Sequence, residues 1–316
     1  MKPPCSDDGP TAAARRPGLS AGQRVILLVP YLWLVVFFLA PFAIVVKISL
    51  SQPALTQPPY APIFDFSKGL AAAIEQAKLF SFDAYHGLIE DWLYIESYLS
   101  SLRLAFIATV LTLLVAYPLA YAMARAPMRT RPVLVLLAVA PFWTSFLIRV
   151  YAWIMILKDE GLLNQALLAL GIIKAPLAIF ATEKAVLIGI VYSYLPFMVL
   201  PLFNAIDKQD ATLIEAAADL GATPFQAFWR VTFPLSLPGV LAGSLLVFIP
   251  AIGEFVIPDL LGGSDTLMIG RTMWDEFFEN RDWPTASAVA IVLLVLLVVP
   301  LALYERAQIA AAGKTR

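Results

Sequence analysis

Six long apolar runs limit what this chain can fold into, because each is close to the roughly 20 residues a helix needs to cross a bilayer. They are Val25 to Val46, Leu104 to Ala124, Pro132 to Leu157, Ala185 to Ile206, Leu237 to about Leu261, and Trp283 to Tyr304. Four carry no charge; the third holds only Arg149 and the fifth only Glu254 and Asp259. None shows the strict alternation of a membrane β-barrel, so the runs are read as helices. The chain is 60% hydrophobic and 14% charged, against about half and a quarter in a soluble domain, which makes lipid the expected solvent. The first run is too long for a signal-peptide core and no clear cleavage site follows it, so it is expected to be retained. The expected fold is an all-α membrane protein with six transmembrane helices. Residues 1–24 form a disordered tail, 25–304 the membrane domain and 305–316 a second tail.

Several chemistries are excluded early. One cysteine, Cys5, leaves no disulfide framework and no cysteine metal cluster. One histidine, His86, argues against a His-based metal site and against a Ser–His catalytic pair. A net charge of −1 without a basic block gives no footprint for nucleic acid.

Orientation follows from Lys and Arg near the helix ends. Lys2, Arg15, Arg16 and Arg24 precede the first span; Arg125, Arg129 and Arg131 lie between spans two and three; Arg306, Lys314 and Arg316 follow the last. With six spans these segments share one side, which is therefore the cytoplasm. The opposite loop, Ser51 to Ser97, has two lysines and six acids, and a short surface helix is expected around Leu70 to Lys78. Each span also contains proline (Pro41, Pro118, Pro141, Pro196, Pro250 and Pro300), which permits kinks where neighbours re-satisfy the backbone.

Between spans four and five the sequence changes character. Asp210 can cap a helix that starts at Ala211. Leu213, Ala216, Ala217 and Leu220 share one face of it, and Gly221 is a natural left-handed stop. Thr223 and Gln226 have the spacing of a capping box around Pro224 at the first helical position. Phe225, Phe228, Trp229 and Thr232 line the second helix, and Pro234 is expected to break it before span five. A two-helix element this short must pack on something to persist. Spacing alone leaves two supports open: the ends of its own spans, or a docked partner.

The stretch "EAAADLG", Glu215 to Gly221, followed by "FPLSLPG", Phe233 to Gly239, resembles the EAA signature of ABC importer permeases. "LIRVYAW" (Leu147 to Trp153), "IPAIGEFVIPDLLGGSDTLMIG" (Ile249 to Gly270) and "NRDWPTASAVAIV" (Asn280 to Val292) resemble its polyamine branch. There the putrescine permeases are nearest and the spermidine permeases next. The resemblance covers nearly the whole chain. It implies a type I, MetI-like permease fold in a bacterial inner membrane, with residues 210–234 as the coupling element that docks on an ATPase. Glu215, Ala216, Ala217, Gly221, Phe225 and Phe228 would carry that coupling. It also implies a second homologous permease subunit, two ATPase subunits and a periplasmic polyamine-binding protein. The chain has no G-x-x-x-x-G-K-[ST] phosphate loop. ATP and magnesium are therefore expected on the ATPase, with no cofactor and no catalytic residue in this chain.

Charges at bilayer depth are costly, roughly 2.5–3.5 kcal/mol on insertion scales, and usually face protein or water. Arg149 lies 17 residues beyond Pro132 and Glu254 lies 17 beyond Leu237. On straight helices both sit about 25 Å from the inner end. They are expected to pair or share a polar cavity, with Asp259 further out; the alternative is that each snorkels. A diamine path would use carboxylates and aromatic faces, and Arg149, Glu254, Asp259, Tyr151, Trp153, Tyr192 and Tyr194 supply them. Tyr and Trp also serve as interface anchors. The segment Trp274 to Pro284, with Asp275, Glu276, Glu279 and Asp282 and Asp265 upstream, is either a solvated loop or a docking surface. Two rivals to a permease remain: an ion-coupled carrier using Arg149 and Glu254 as a relay, and a membrane scaffold that recruits a partner.

Overall fold

A computed structural model describes residues 21–63 and 78–313, with side chains described for 26–63, 78–299 and 301–302. The tail through residue 20, the helix expected around Leu70 to Lys78 apart from Lys78 itself, and the last three residues lie outside the described residues.

The chain divides into two units, one ending at Lys47 and one starting at Ile48. The first contains α1 (Ala21–Leu34), a π-turn (Val35–Leu39) and most of α2 (Ala40–Ser49). Its apolar side chains from Ile26 to Leu39 are exposed, as suits a lipid-facing rod.

The second unit holds the packed core. A two-residue antiparallel pair, Gln52–Pro53 with Tyr60–Ala61, precedes α3 (Asp83–Glu90). Three long helices follow at its centre: α4 (Trp92–Arg125), α8 (Glu183–Asp207) and, after intervening elements, α11 (Phe233–Ile252). Each packs on the other two. Lipid offers no hydrophobic force between helices, so close backbone approach must hold them. The sequence provides for that with small residues. On α4, Ser97, Ser101, Ala105, Ala108, Thr112, Ala116 and Ala120 are buried at spacings of three and four. On α11, Gly239 faces Pro201 and Ala205, and Gly243 faces Met198.

A β-carbon at Gly239 would stand 2.8 Å from the Pro201 carbonyl oxygen and 2.5 Å from Ala205 Cβ. The first of these is backbone of the facing helix and cannot swing aside. Gly239→Val is therefore expected to cost at least about 1–3 kcal/mol of overpacking. It should sharply reduce the monodisperse fraction in size-exclusion chromatography of detergent-solubilised protein.

Four membrane-length apolar helices are present among the described residues: Ile26–Ser49, Trp92–Arg125, Glu183–Asp207 and Pro224–Ile252. A further pair, Arg131–Trp143 with Phe146–Ala169, is long and apolar enough only when taken together, and it is bent by 87°. A shorter apolar helix, Trp283–Val299, lies in the sixth run; it begins α14 (Trp283–Gly313).

The bend corrects one expectation. The third run comprises α5 (Arg131–Val139), a 3₁₀ turn (Ala140–Trp143) and α6 (Phe146–Leu157), with extended backbone at Thr144 and Ser145, and α7 (Leu162–Ala169) follows it. The break interrupts the apolar run with only two uncharged residues, Thr144 and Ser145, and because of it Arg149 does not sit about 25 Å up a straight helix. Within α7, the buried Asn164 side chain holds the loop that follows: its Nδ2 donates to Leu177 O at 3.0 Å and its Oδ1 accepts from Leu177 N at 2.8 Å.

After α11 the chain breaks at Gly253–Phe255, forms α12 (Val256–Leu261), then α13 (Ile269–Phe278). Hydroxyls on α4 pin α13. Ser101 Oγ accepts from Ile269 N at 2.7 Å, Ser97 and Thr272 hydroxyls meet at 3.1 Å, and Tyr94 OH donates to Glu276 at 2.8 Å.

Candidate functional site

The two-helix element forms close to where its sequence places it. α9 spans Thr212–Asp219 and α10 spans Pro224–Ala227. Thr223 and Gln226 make the reciprocal capping box, with Pro224 at the first turn. Gly221 has φ +82°, the left-handed region that only glycine enters at no cost. Asp210 accepts from Thr212 N at 3.0 Å, and that amide holds its carboxyl below the usual carboxylate range. The helix begins one residue later than expected, with Ala211 at its cap.

Pro234 does not end the second helix. The turn Phe228–Thr232 is a π-helix that joins α10 to α11. Pro234 cannot donate to the carbonyl four residues back and would crowd it. The wider turn, in which Phe233 N–H reaches Phe228 O, absorbs that conflict without stopping the helix. The Gln209 amide, just beyond α8, donates to Thr232 O at 3.0 Å and ties the joint to that span.

The element has two faces. Phe228 points inward: its ring lies 5.5 Å from Tyr117 and 5.9 Å from Tyr121, both edge-on, on α4. Tyr117 OH also meets Ser236 Oγ at 2.9 Å. Phe225 points outward and is 73% exposed, with its ring 6.2 Å from that of exposed Trp229, and Leu213 and Leu220 are exposed on the same two-helix element. Glu215, Ala216 and Gly221 are exposed and Ala217 is half-buried. So Phe228 seats the element on its own chain, while the other coupling candidates stand on or beside an uncovered apolar surface. Leu220, 89% exposed, belongs to that surface.

The intramembrane carboxylate stands at the α11–α12 break. Glu254 is 8% exposed. It accepts from Tyr194 OH, from Val256 N at 3.1 Å and from Ile257 N at 3.4 Å, so it caps α12. Asp259, on α12, faces Arg271 at 3.6 Å. Arg149 and Glu254 do not pair. Arg149 Nε and Nη1 are buried without a hydrogen-bond partner, and its guanidinium lies 5.3 Å from the Phe142 ring and 5.7 Å from Phe146. The pairing expectation assumed two straight helices, and both are broken. The two groups are instead linked by rings: Phe142 contacts Phe197 at 5.1 Å, and Phe197 contacts Tyr194 at 6.0 Å. Trp153 and Tyr192 meet edge-on at 5.3 Å, and Tyr151 is exposed.

At the acidic end, Asp282 caps α14 through Thr285 N at 3.0 Å. Burial and then Glu279 push the Asp275 carboxyl above the usual carboxylate range. A cleft of about 1040 Å³ lies between Pro53–Pro59 and Phe277–Trp283.

Residues 116–306 match the family model described as binding-protein-dependent transport system inner membrane component. The chain is 42% identical over 286 residues to the spermidine/putrescine transport system permease protein PotB of Haemophilus influenzae, covering 90% of this chain and 94% of that one. It is 45% identical over 230 residues to PotB of Escherichia coli K12, covering 73% and 83%. Among solved structures it is similar to a chain of the bacterial alginate ABC transporter crystallised with an alginate-bound periplasmic protein. The TM-score there is 0.63 at 16% identity, over 87% of this chain and 90% of that one. Six apolar runs, a capped element at the basic end and the family match converge: the chain belongs to the inner membrane components of binding-protein-dependent transport systems, the permeases of ABC importers.

Proposed function

We propose that the chain is the permease subunit of an ABC importer for polyamines, with putrescine as its substrate. The observation that carries the substrate class is Glu254, a carboxylate buried among apolar helices whose hydrogen-bond donors among the described residues are all neutral. A diamine offers the ammonium group such a carboxylate takes, and the aromatic faces of Tyr194, Phe197 and Phe142 add cation–π attraction along an approach to it. The relatives' polyamine names support the same class. Asp259, Tyr151, Trp153 and Tyr192 are the further path candidates, and Arg149 stands at the far end of the ring series.

In this reading both termini and the 210–234 element are cytoplasmic, as the placement of Arg125, Arg129 and Arg131 favours. The exposed surface of Leu213, Leu220, Phe225 and Trp229 docks on an ATPase that holds ATP and magnesium; this chain needs no cofactor of its own. A second homologous permease completes the path, and two ATPases drive it. The cleft between the first outer loop and Phe277–Trp283 is where a periplasmic polyamine-binding protein would settle. The importer switches between outward- and inward-open states as the ATPase pair closes.

The two faces of the coupling element give a paired test. Phe228→Ala removes a ring seated between Tyr117 and Tyr121, at about 2 kcal/mol for a half-buried phenylalanine, and should lower the melting temperature of the purified complex. Phe225→Ala touches an exposed ring, so it should leave melting within about 0.5 kcal/mol of wild type and instead weaken ATPase retention on affinity purification. The reverse pattern would count against ATPase docking through this face.

A further inference from the structure

Glu254 is only as well placed as the break that carries it, and that break rests on α13. At Gly270, in the first turn of α13, a β-carbon would stand 2.4 Å from Gly253 O and 2.6 Å from Glu254 O. Both atoms are backbone. No side chain can swing aside, so a larger residue must push the break itself. The α13 side of the contact is anchored. Ile269 N donates to the buried Ser101 Oγ at 2.7 Å, and Thr272 meets Ser97 at 3.1 Å, both partners lying on α4. Ile269, Gly270 and Thr272 are all buried. A second contact comes four residues on, and so on the same face of α13. There the Trp274 ring stacks on Phe255, with centroids 4.5 Å apart and planes 11° from parallel. Phe255 directly follows Glu254, at the start of α12. One anchored helix therefore holds Gly253–Phe255 at two points. The bonds that Glu254 accepts from Val256 N, Ile257 N and Tyr194 OH depend on where that backbone lies.

We infer that Gly270 and Trp274 are positioning residues for Glu254: they set the place from which its carboxylate meets an ammonium group of the substrate. The inference rests on the polyamine-path reading of Glu254. Gly270 acts through its missing side chain, and Trp274 through the face it gives Phe255. Misplacing a reacting group by about 1 Å can cost up to about a hundredfold in rate, so contacts this close reach transport without touching the substrate.

A double-mutant cycle on labelled putrescine uptake tests this. Proteoliposomes hold this chain, the second permease and the ATPase, with the binding protein outside. Gly270→Ala is expected to lower the initial rate about tenfold, with ATPase retention unchanged. In a Glu254→Gln background it should lower the rate no further, because the carboxylate it displaces is gone; two independent tenfold losses would multiply to about a hundredfold. Should Gly270→Ala fail to fold, Trp274→Leu decides. Trp274 is 39% exposed, so that variant should reach the membrane at its normal level. It should lower the rate about threefold, the worth of one aromatic pair, again only where Glu254 is intact, and Trp274→Phe should restore it. Losses that multiply with that of Glu254→Gln, or wild-type rates in both Gly270→Ala and Trp274→Leu, would overturn the inference while the path reading stands. Wild-type uptake by Glu254→Gln, or no ATP-dependent uptake by the unmodified chain, defeats the path reading first and this inference with it.

Discussion

Gly221→Val is expected to abolish ATP-driven uptake while leaving the membrane helices folded. The reason is local. A β-carbon at Gly221 would meet nothing within 4 Å, so there is no clash to relieve. What the substitution meets is φ +82°, which costs an ordinary residue about 1–2 kcal/mol and a β-branched one more. The turn between α9 and α10 would reopen, and Leu213 and Leu220 would shift relative to Phe225 and Trp229. Asparagine enters the left-handed region at lower cost, so Gly221→Asn should keep most of the uptake. Initial uptake rates in vesicles, with ATPase retention on the same preparations, separate the two variants. Equal uptake by Gly221→Val and wild type would remove the coupling role of this turn.

Glu254 gives the second large effect, and its two replacements divide structure from chemistry. Glu254→Leu strands Tyr194 OH and the amides of Val256 and Ile257 in a buried site, at about 1–3 kcal/mol for each unsatisfied group. The expected result is loss of folded protein. Glu254→Gln keeps one oxygen for the α12 amides, and Tyr194 OH can turn to accept from the new amide. The fold should survive. The carboxylate is gone, however, and putrescine uptake should fall by about tenfold or more, equivalent to some 1.4 kcal/mol of lost stabilisation. ATPase retention should not change. Wild-type uptake by Glu254→Gln would remove this carboxylate from the path.

What could be seen in the sequence depended on whether a signal was local. The turn at Gly221, the box made by Thr223 and Gln226, and Pro224 at a first helical position are each decided within four residues, and each formed as its chemistry dictates. The apolar runs were legible for a similar reason, since lipid demands continuous apolarity. Geometry within a run was not. The bend at Thr144–Ser145 and the break at Gly253–Phe255 are only two and three residues long, with apolar helix on both sides, so Arg149 and Glu254 were placed on straight helices and wrongly paired. The signals available were the short polar step Thr144–Ser145 after Pro141, and Gly253 after Pro250. Pro234 misled in the opposite direction. It read as a stop, but a π-turn carries the helix past it. That choice depends on partners far along the chain, Gln209 and Tyr117 among them, which no window around the proline contains.

The continuity has a mechanical consequence. Because α10, the π-turn and α11 form one uninterrupted helix from Pro224 to Ile252, a push on Phe225 or Trp229 is delivered along the span that ends at Gly253–Glu254. In the proposed importer, the ATPase surface and the buried carboxylate are therefore the two ends of one rod.

The central claim is ATP-driven putrescine import, and uptake in a reconstituted system tests it most directly. Proteoliposomes would carry this chain, the second permease and the ATPase, with the binding protein outside and ATP and magnesium inside. Labelled putrescine is offered with and without excess spermidine. The predicted result is accumulation that requires ATP and resists spermidine. Accumulation that continues after the ATPase is removed, or no ATP-dependent accumulation of either polyamine, would contradict it.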